Sequence, residues 1–211
     1  MVAATPMFFP AVRGAVAVPG DQRITLHGLS WAQYVAIGDA LHDHAGVRMT
    51  YLEGTLELMT TGARHEVLKK TLARLLEAYA DETRTRITGY GSATFRKKAA
   101  GRGLEPDECY TRRRLAEGEV PELAIEIVVS HGDIDKLAVY AGLGVGEVWL
   151  WEDGAIAIFC LGPSGYQPSP RSHLFPDLDI AELARFMSSD DQAEAVWTYR
   201  ALVRERAVSR R

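Results

Sequence analysis

The sequence predicts a single α/β domain, and three observations carry that prediction. Glu122 to Val129 (ELAIEIVV) is a strongly apolar strand segment near the middle of the chain. Leu68, Leu72, Leu75, Leu76 and Tyr79 recur at the spacing of one helix face, which predicts a long amphipathic helix. Short strand segments and helices fill the rest, with no internal repeat and no dividing linker. A chain of 211 residues, 47% hydrophobic and 25% charged, matches one domain with a full core.

Taken in order, residues 1–20 are rich in Ala, Val and Pro and read as a loose leader. They lack a basic start, and Pro6, Pro10 and Arg13 interrupt the apolar run, so they do not form a signal peptide. A first helix is expected from Ser30 to His44, with Ser30 and Gln33 as a capping box and Trp31, Tyr34, Val35 and Leu41 as its stripe. Val47 to Leu52 and Thr55 to Met59 form a hairpin around Glu53-Gly54. After the long helix come three short strands, Arg86 to Tyr90, Ala93 to Lys97 and Glu105 to Tyr110. In the apolar strand Leu123, Ile125, Ile127 and Val129 share one face, and Glu122, Ala124, Glu126 and Val128 the other. A helix from Asp133 to Ala141 stops at Gly142 and Gly144. Glu147 to Trp151 and Ala155 to Leu161 form a second hairpin around Asp153-Gly154. Asp179 with Glu182 opens a short helix, and Ser189 opens the last one, which carries an arginine-rich tail. The domain therefore spans 21–187, followed by a C-terminal helix and basic tail at 188–211.

Composition excludes several classes. The two cysteines, Cys109 and Cys160, are far apart and without zinc-ligand spacing, which argues against a disulfide framework or a cysteine-rich metal knuckle. No apolar run approaches the roughly 20 residues a membrane helix needs, so a cytoplasmic protein is expected. The net charge of −4 does not by itself point to nucleic acid. Its distribution does more: Arg96, Lys97, Lys98 and Arg102, then Arg112, Arg113 and Arg114, flank the segment holding Asp107, while Arg64, Lys69, Lys70 and Arg74 lie on the long helix. Bases around acids would suit a phosphate backbone, although taken alone such clusters are more often solvated faces.

The candidate chemistry rests on Asp107, Glu126 and Lys136. A carboxylate amid Ala124, Ile125, Ile127 and Val128 is costly to desolvate unless paired or bound to a cation. The plainer alternative is an edge strand with one wet face. Asp107 tips the balance, because two carboxylates from neighbouring strands make an oxygen-rich site for a hard ion, Mg²⁺ or Mn²⁺. Lys136 could orient a water or stabilise phosphate oxygens; the alternative is a surface ion pair with Asp133 or Asp135.

The hairpin YLEGTLELM, His65 opening a long helix, EPD at 105–107 and PELAIEIVVSHGDIDKLAVYAGLGVGEVWLW at 121–151 together resemble the Uma-two family of the PD-(D/E)XK nuclease superfamily. The resemblance runs from about Leu29 to Phe186. Its most specific part is the succession from Glu126 through Asp133, Lys136 and Tyr140 to Trp149. It implies a restriction-endonuclease-like fold, a central mixed sheet flanked by helices. It also implies a metal-dependent DNA endonuclease that hydrolyses phosphodiesters through a metal-activated water. Asp107 and Glu126 would be the metal ligands, aided by a backbone carbonyl near Ile127. The superfamily's lysine, two residues after the strand acid, is replaced by Val128, and Lys136 takes its place. Glu57 and His65 are lesser candidates near the metal; alone, they read as an outward strand residue and a helix-start polar group. Trp149 and Trp151 share a face and read as packing or a dimer surface rather than a base-stacking platform. Tyr140 reads as packing against the sheet. A homodimer is expected by analogy. The competing reading is an inactive nuclease fold that binds DNA or protein.

Overall fold

A computed structural model of the chain describes residues 20–41 and 46–209. The expected leader, apart from Gly20, and the last turn of the expected first helix lie outside the described residues. The strands build two sheets. The first is antiparallel throughout, in the order β1 (Gln22–Leu26), β3 (Thr55–Thr60), β2 (Val47–Leu52), β6 (Arg102–Leu104), β5 (Phe95–Lys97). The second is mixed, in the order β11 (Gly165–Ser169), β10 (Ala155–Gly162), β9 (Glu147–Glu152), β8 (Leu123–Val128), β7 (Glu108–Thr111), β4 (Thr88–Gly89). Only β8 and β9 run parallel, joined by the helix α3 (Lys136–Leu143). The remaining helices are α1 (Trp31–Leu41), α2 (Ala63–Thr83), α4 (Ile180–Phe186) and α5 (Gln192–Ser209).

The mixed sheet flanked by helices is the expected architecture, and β8 lies inside it rather than at an edge. Its odd-numbered residues meet α2: Leu123, Ile125 and Ile127 share a core with Leu72, Leu75, Leu76, Trp149 and Trp151. Its even-numbered face meets α3, where Ala124 packs with Val139, Tyr140, Leu143 and Val148. The first sheet closes over the other side of α3 through Phe95 and Leu104, and carries α1 on its far face through Tyr34, Met49, Tyr51 and Leu56.

Local chemistry explains most boundaries. Ser30 and Gln33 form the expected capping box: the Ser30 N–H donates to Gln33 Oε1 at 2.8 Å and the Gln33 N–H to Ser30 Oγ at 3.3 Å. Both hairpin turns have two positive-φ residues, Glu53-Gly54 and Asp153-Gly154, as a type I′ turn requires. Several expectations shift. The helix expected from Asp133 begins at Lys136, because the Asp135 side chain accepts from the N–H groups of Leu137 and Ala138 and caps it. Gly142 lies within that helix, where a Cβ would meet the Arg102 side chain at 1.8 Å; only Gly144 ends it. Asp191, not Ser189, caps α5, accepting from Ala193 and Glu194. α5 packs on α2 through Val196, Tyr199 and Val203, so the C-terminal helix belongs to the same core as the preceding domain. Trp149 and Trp151 are buried in that core and offer no dimer surface. No described helix is long and apolar enough to cross a membrane.

Candidate active site

Asp107 immediately precedes β7, and Glu126 lies in β8, where the antiparallel register sets Glu108 against Ile125. One step further along that register brings Asp107 beside Glu126, at the end of the pair where α3 covers the sheet. Each is 1% exposed, so a wet strand face is excluded. Burying two carboxylates this closely costs several kcal/mol per ion, of order 5, unless donors or cations compensate. The structure supplies those partners.

Lys136 Nζ donates to Glu126 Oε2 at 2.6 Å, and the Tyr140 hydroxyl donates to Glu126 Oε1. Lys136 and Tyr140 lie one helical turn apart, so α3 points both at a single carboxylate. The surface pairings of Lys136 with Asp133 or Asp135 do not occur; Asp135 caps the helix and Asp133 accepts from Thr25 Oγ1 at 2.6 Å. Tyr140 thus does more than pack. The signal for it was its spacing from Lys136.

Asp107 is held differently. Its Oδ2 accepts the Ile127 N–H at 2.8 Å, and its Oδ1 lies 2.9 Å from His65 Nε2. The other ring nitrogen, Nδ1, is 3.2 Å from Asp21 Oδ2, and Asp21 Oδ1 accepts the Gly62 N–H at 3.0 Å. His65 is therefore a buried bridge between two aspartates at the start of α2. Asp21 gave no sequence signal, because its partners lie more than forty residues away.

Glu57 is also buried rather than outward. It faces away from α1, and its carboxylate accepts from Arg23 Nη1 at 2.6 Å and from the Asp133 N–H at 3.0 Å. Arg23 also reaches the Ser130 carbonyl at 2.9 Å. Together they clamp the loop that carries Lys136. A Cβ on Gly132 would sit 2.0 Å from Glu57 Oε2, so any larger residue must displace that carboxylate or the loop. A cavity of about 200 Å³ opens between this loop and Arg23, lined also by Glu57, Ile127, Lys136 and Leu150.

The electrostatics separate the two acids. Burial opposes the charge of Asp107, but His65 and Lys136 outweigh it and hold the group below the usual carboxylate value. Burial raises Glu126 in spite of Lys136, and the charge of Asp107 adds to the rise. Burial works against the Lys136 cation too, yet Glu126 and Asp107 together hold it above the usual lysine value. His65 is likewise raised, its burial overcome by Asp107 and Asp21. Both acids offer hard oxygen donors, the set that fits Mg²⁺ or Mn²⁺. Each carboxylate oxygen retains a lone pair beyond the hydrogen bond it accepts.

The basic clusters are mostly engaged elsewhere. Arg112 and Arg113 pair with Glu122 and Glu119 at the opposite end of β7 and β8 from Asp107. Arg96 lies over the Tyr34 ring, and Arg102 pairs with Glu53. On α2, Lys69 pairs with Glu66 and Lys70 with Glu108. Lys97, Lys98 and Arg114 are exposed.

The model of the Uma2 family, described as putative restriction endonuclease, matches residues 31–188. No curated protein matches the chain.

Proposed function

The chain belongs to the Uma2 family, and from that premise and the geometry of the two acids we propose that it hydrolyses phosphodiester bonds in DNA with a divalent metal. The observation that carries this reading is the pair of fully buried carboxylates, Asp107 and Glu126, on adjacent strands with the Lys136 amine on one of them. Asp107 and Glu126 would hold Mg²⁺ or Mn²⁺, with the backbone carbonyl near Ile127 that the family resemblance implies. When bound, such an ion supplies charge neutralisation at the phosphate and a more acidic water.

The chain's own residues do the positioning. His65 sets its Nε2 against Asp107 as an ionic partner, and Asp21 positions the imidazole through Nδ1. Tyr140 orients Glu126. Lys136 is the part of the site nearest solvent, its side chain 22% exposed against 1% for Glu126. Its ammonium can turn from Glu126 to a phosphate oxygen and stabilise the charge that develops there. Arg64, Lys97, Lys98 and Arg114 are exposed cations of the basic clusters that could meet the DNA backbone. Two copies acting together would cut both strands of a duplex, and the two free thiols suit the reducing cytoplasm.

The test is incubation of supercoiled plasmid with the protein and Mg²⁺ or Mn²⁺. Nicking by the wild type that is absent from Asp107→Asn and Glu126→Gln supports the enzyme. A second reading, a nuclease fold that binds without turnover, is favoured by Val128 at the usual lysine position and by the closed Lys136–Glu126 pair. Retained DNA binding with no nicking in either metal establishes that one.

A further inference from the structure

A second buried glutamate lies on the other face of the same sheet. Glu147 opens β9 and is 3% exposed, yet among the described residues no cationic side chain pairs with it. Its oxygens accept from neutral donors, the Trp149 indole N–H at 2.5 Å and the His173 backbone N–H at 2.7 Å. A buried carboxylate with no cation is the exception among buried charges, which otherwise are paired or bind metal.

Two soft or borderline donors stand beside it. The β9–β10 register sets Cys160 directly opposite Glu147, so their side chains leave the same face as near neighbours. His173, just past β11, has its backbone fixed by the bond to Glu147 and its ring exposed to solvent. One ligand atom from each of Glu147, Cys160 and His173 lies within 4.8 Å of the other two. Asp107, Glu126 and His65 do not form such a group of three, so this is a separate convergence.

We propose that Glu147, Cys160 and His173 bind a zinc-class transition metal, with water as the fourth ligand, at a site apart from the acid pair of Asp107 and Glu126. The donor set of thiolate, imidazole and carboxylate matches tetrahedral Zn²⁺ and rejects Mg²⁺, which avoids sulfur. Each Glu147 oxygen keeps a lone pair for the ion. The exposed imidazole gives an entry path. Glu147 pairs with Leu123, three residues before Glu126 and on the opposite face, so the two sites are about 10 Å apart along the strands. Bound metal would tie β9 and β10 to the segment bearing Phe175, whose ring packs edge-on against Trp149 at 6.0 Å.

Two measurements test this without reference to nuclease activity. Co²⁺ titration of the full chain gives near-ultraviolet thiolate-to-cobalt absorption. That absorption disappears in Cys160→Ser, weakens in His173→Ala and persists in Glu126→Gln. Independently, the reaction of Cys160 with a thiol reagent slows about tenfold in the wild type when Zn²⁺ is present at ten times its dissociation constant, and a chelator restores the rate. Cys109, fully buried, does not confuse the readout. Absence of thiolate absorption, or an unchanged Cys160 reaction rate at millimolar Zn²⁺, overturns the proposal.

Discussion

Glu126 and Glu147 lie on adjacent parallel strands, three register positions apart, and both are almost wholly buried. Their surroundings differ. Glu126 faces a second carboxylate, an ammonium and a hydroxyl, in a network that keeps three charges in a small volume. Glu147 faces two neutral N–H groups and a thiol, and has no competing charge among the described side chains. The first arrangement balances buried acids against a cation, whereas the second leaves a buried carboxylate with neutral donors alone, a charge that the proposed softer ion would offset. Burial alone does not mark a functional acid; the partners that share the burial do.

The comparison breaks most sharply at the acids of the first site. Asp107→Asn and Glu126→Gln are each expected to lower plasmid cleavage by at least about 10³-fold, with far-ultraviolet circular dichroism unchanged. Glu147→Gln keeps cleavage within about threefold, since it lies outside the reacting group.

Lys136→Met should be next in size. It strands Glu126 without its cation, which costs about 3–5 kcal/mol in denaturant unfolding. The double variant Lys136→Met/Glu126→Gln recovers most of that stability and none of the cleavage. Equal destabilisation in both would mean that the pair contributes through packing and not through charge.

Gly132→Ala probes the loop. The added Cβ meets Glu57, which Arg23 and the Asp133 N–H hold in place, so the loop carrying Lys136 must shift. Cleavage is expected to fall by about 10–100-fold with little loss of stability. His65→Ala should weaken Mn²⁺ binding by a similar 10–100-fold, as removal of a group packed against a ligand carboxylate does.

The smallest effect concerns the clamp between α2 and α5, outside both acid sites. Arg204 and Arg200 hold Glu82 down to about 2, well below the ordinary 4.5. A carboxylate depressed in the folded state stabilises above the unfolded value, and that contribution is lost as pH falls from 4.5 toward 2. Glu82→Gln should therefore lower stability at pH 7 by about 1 kcal/mol or less and flatten the acid limb of the stability curve. Above pH 6 the difference between wild type and variant stays constant.

Much of this was legible in the sequence for physical reasons. The period-two alternation of Glu122 to Val129 located β8 and exposed Glu126 as an anomaly, because strand patterning is local. The capping box, both hairpin turns and the α2 stripe are local signals as well. What escaped depends on distant partners. β1 was missed because Gln22–Leu26 is an edge strand that turns Ile24 and Leu26 outward and is defined only by pairing with β3. β6 is three residues with a central glycine, and β11 contains Pro168, which an edge strand tolerates. Asp21, Arg23 and the buried role of Glu57 arise only once β1 and β3 come together. The Glu147–Cys160–His173 group is invisible to spacing rules, since its ligands come from two strands and the segment past a third.

The most direct measurement is isothermal titration of Mn²⁺ into the wild type and into Asp107→Asn and Glu126→Gln, with zinc-class metal removed beforehand. The account predicts a binding heat in the wild type that either substitution abolishes. Mn²⁺ uptake that survives neutralisation of both acids would contradict it, as would no uptake at all in the wild type.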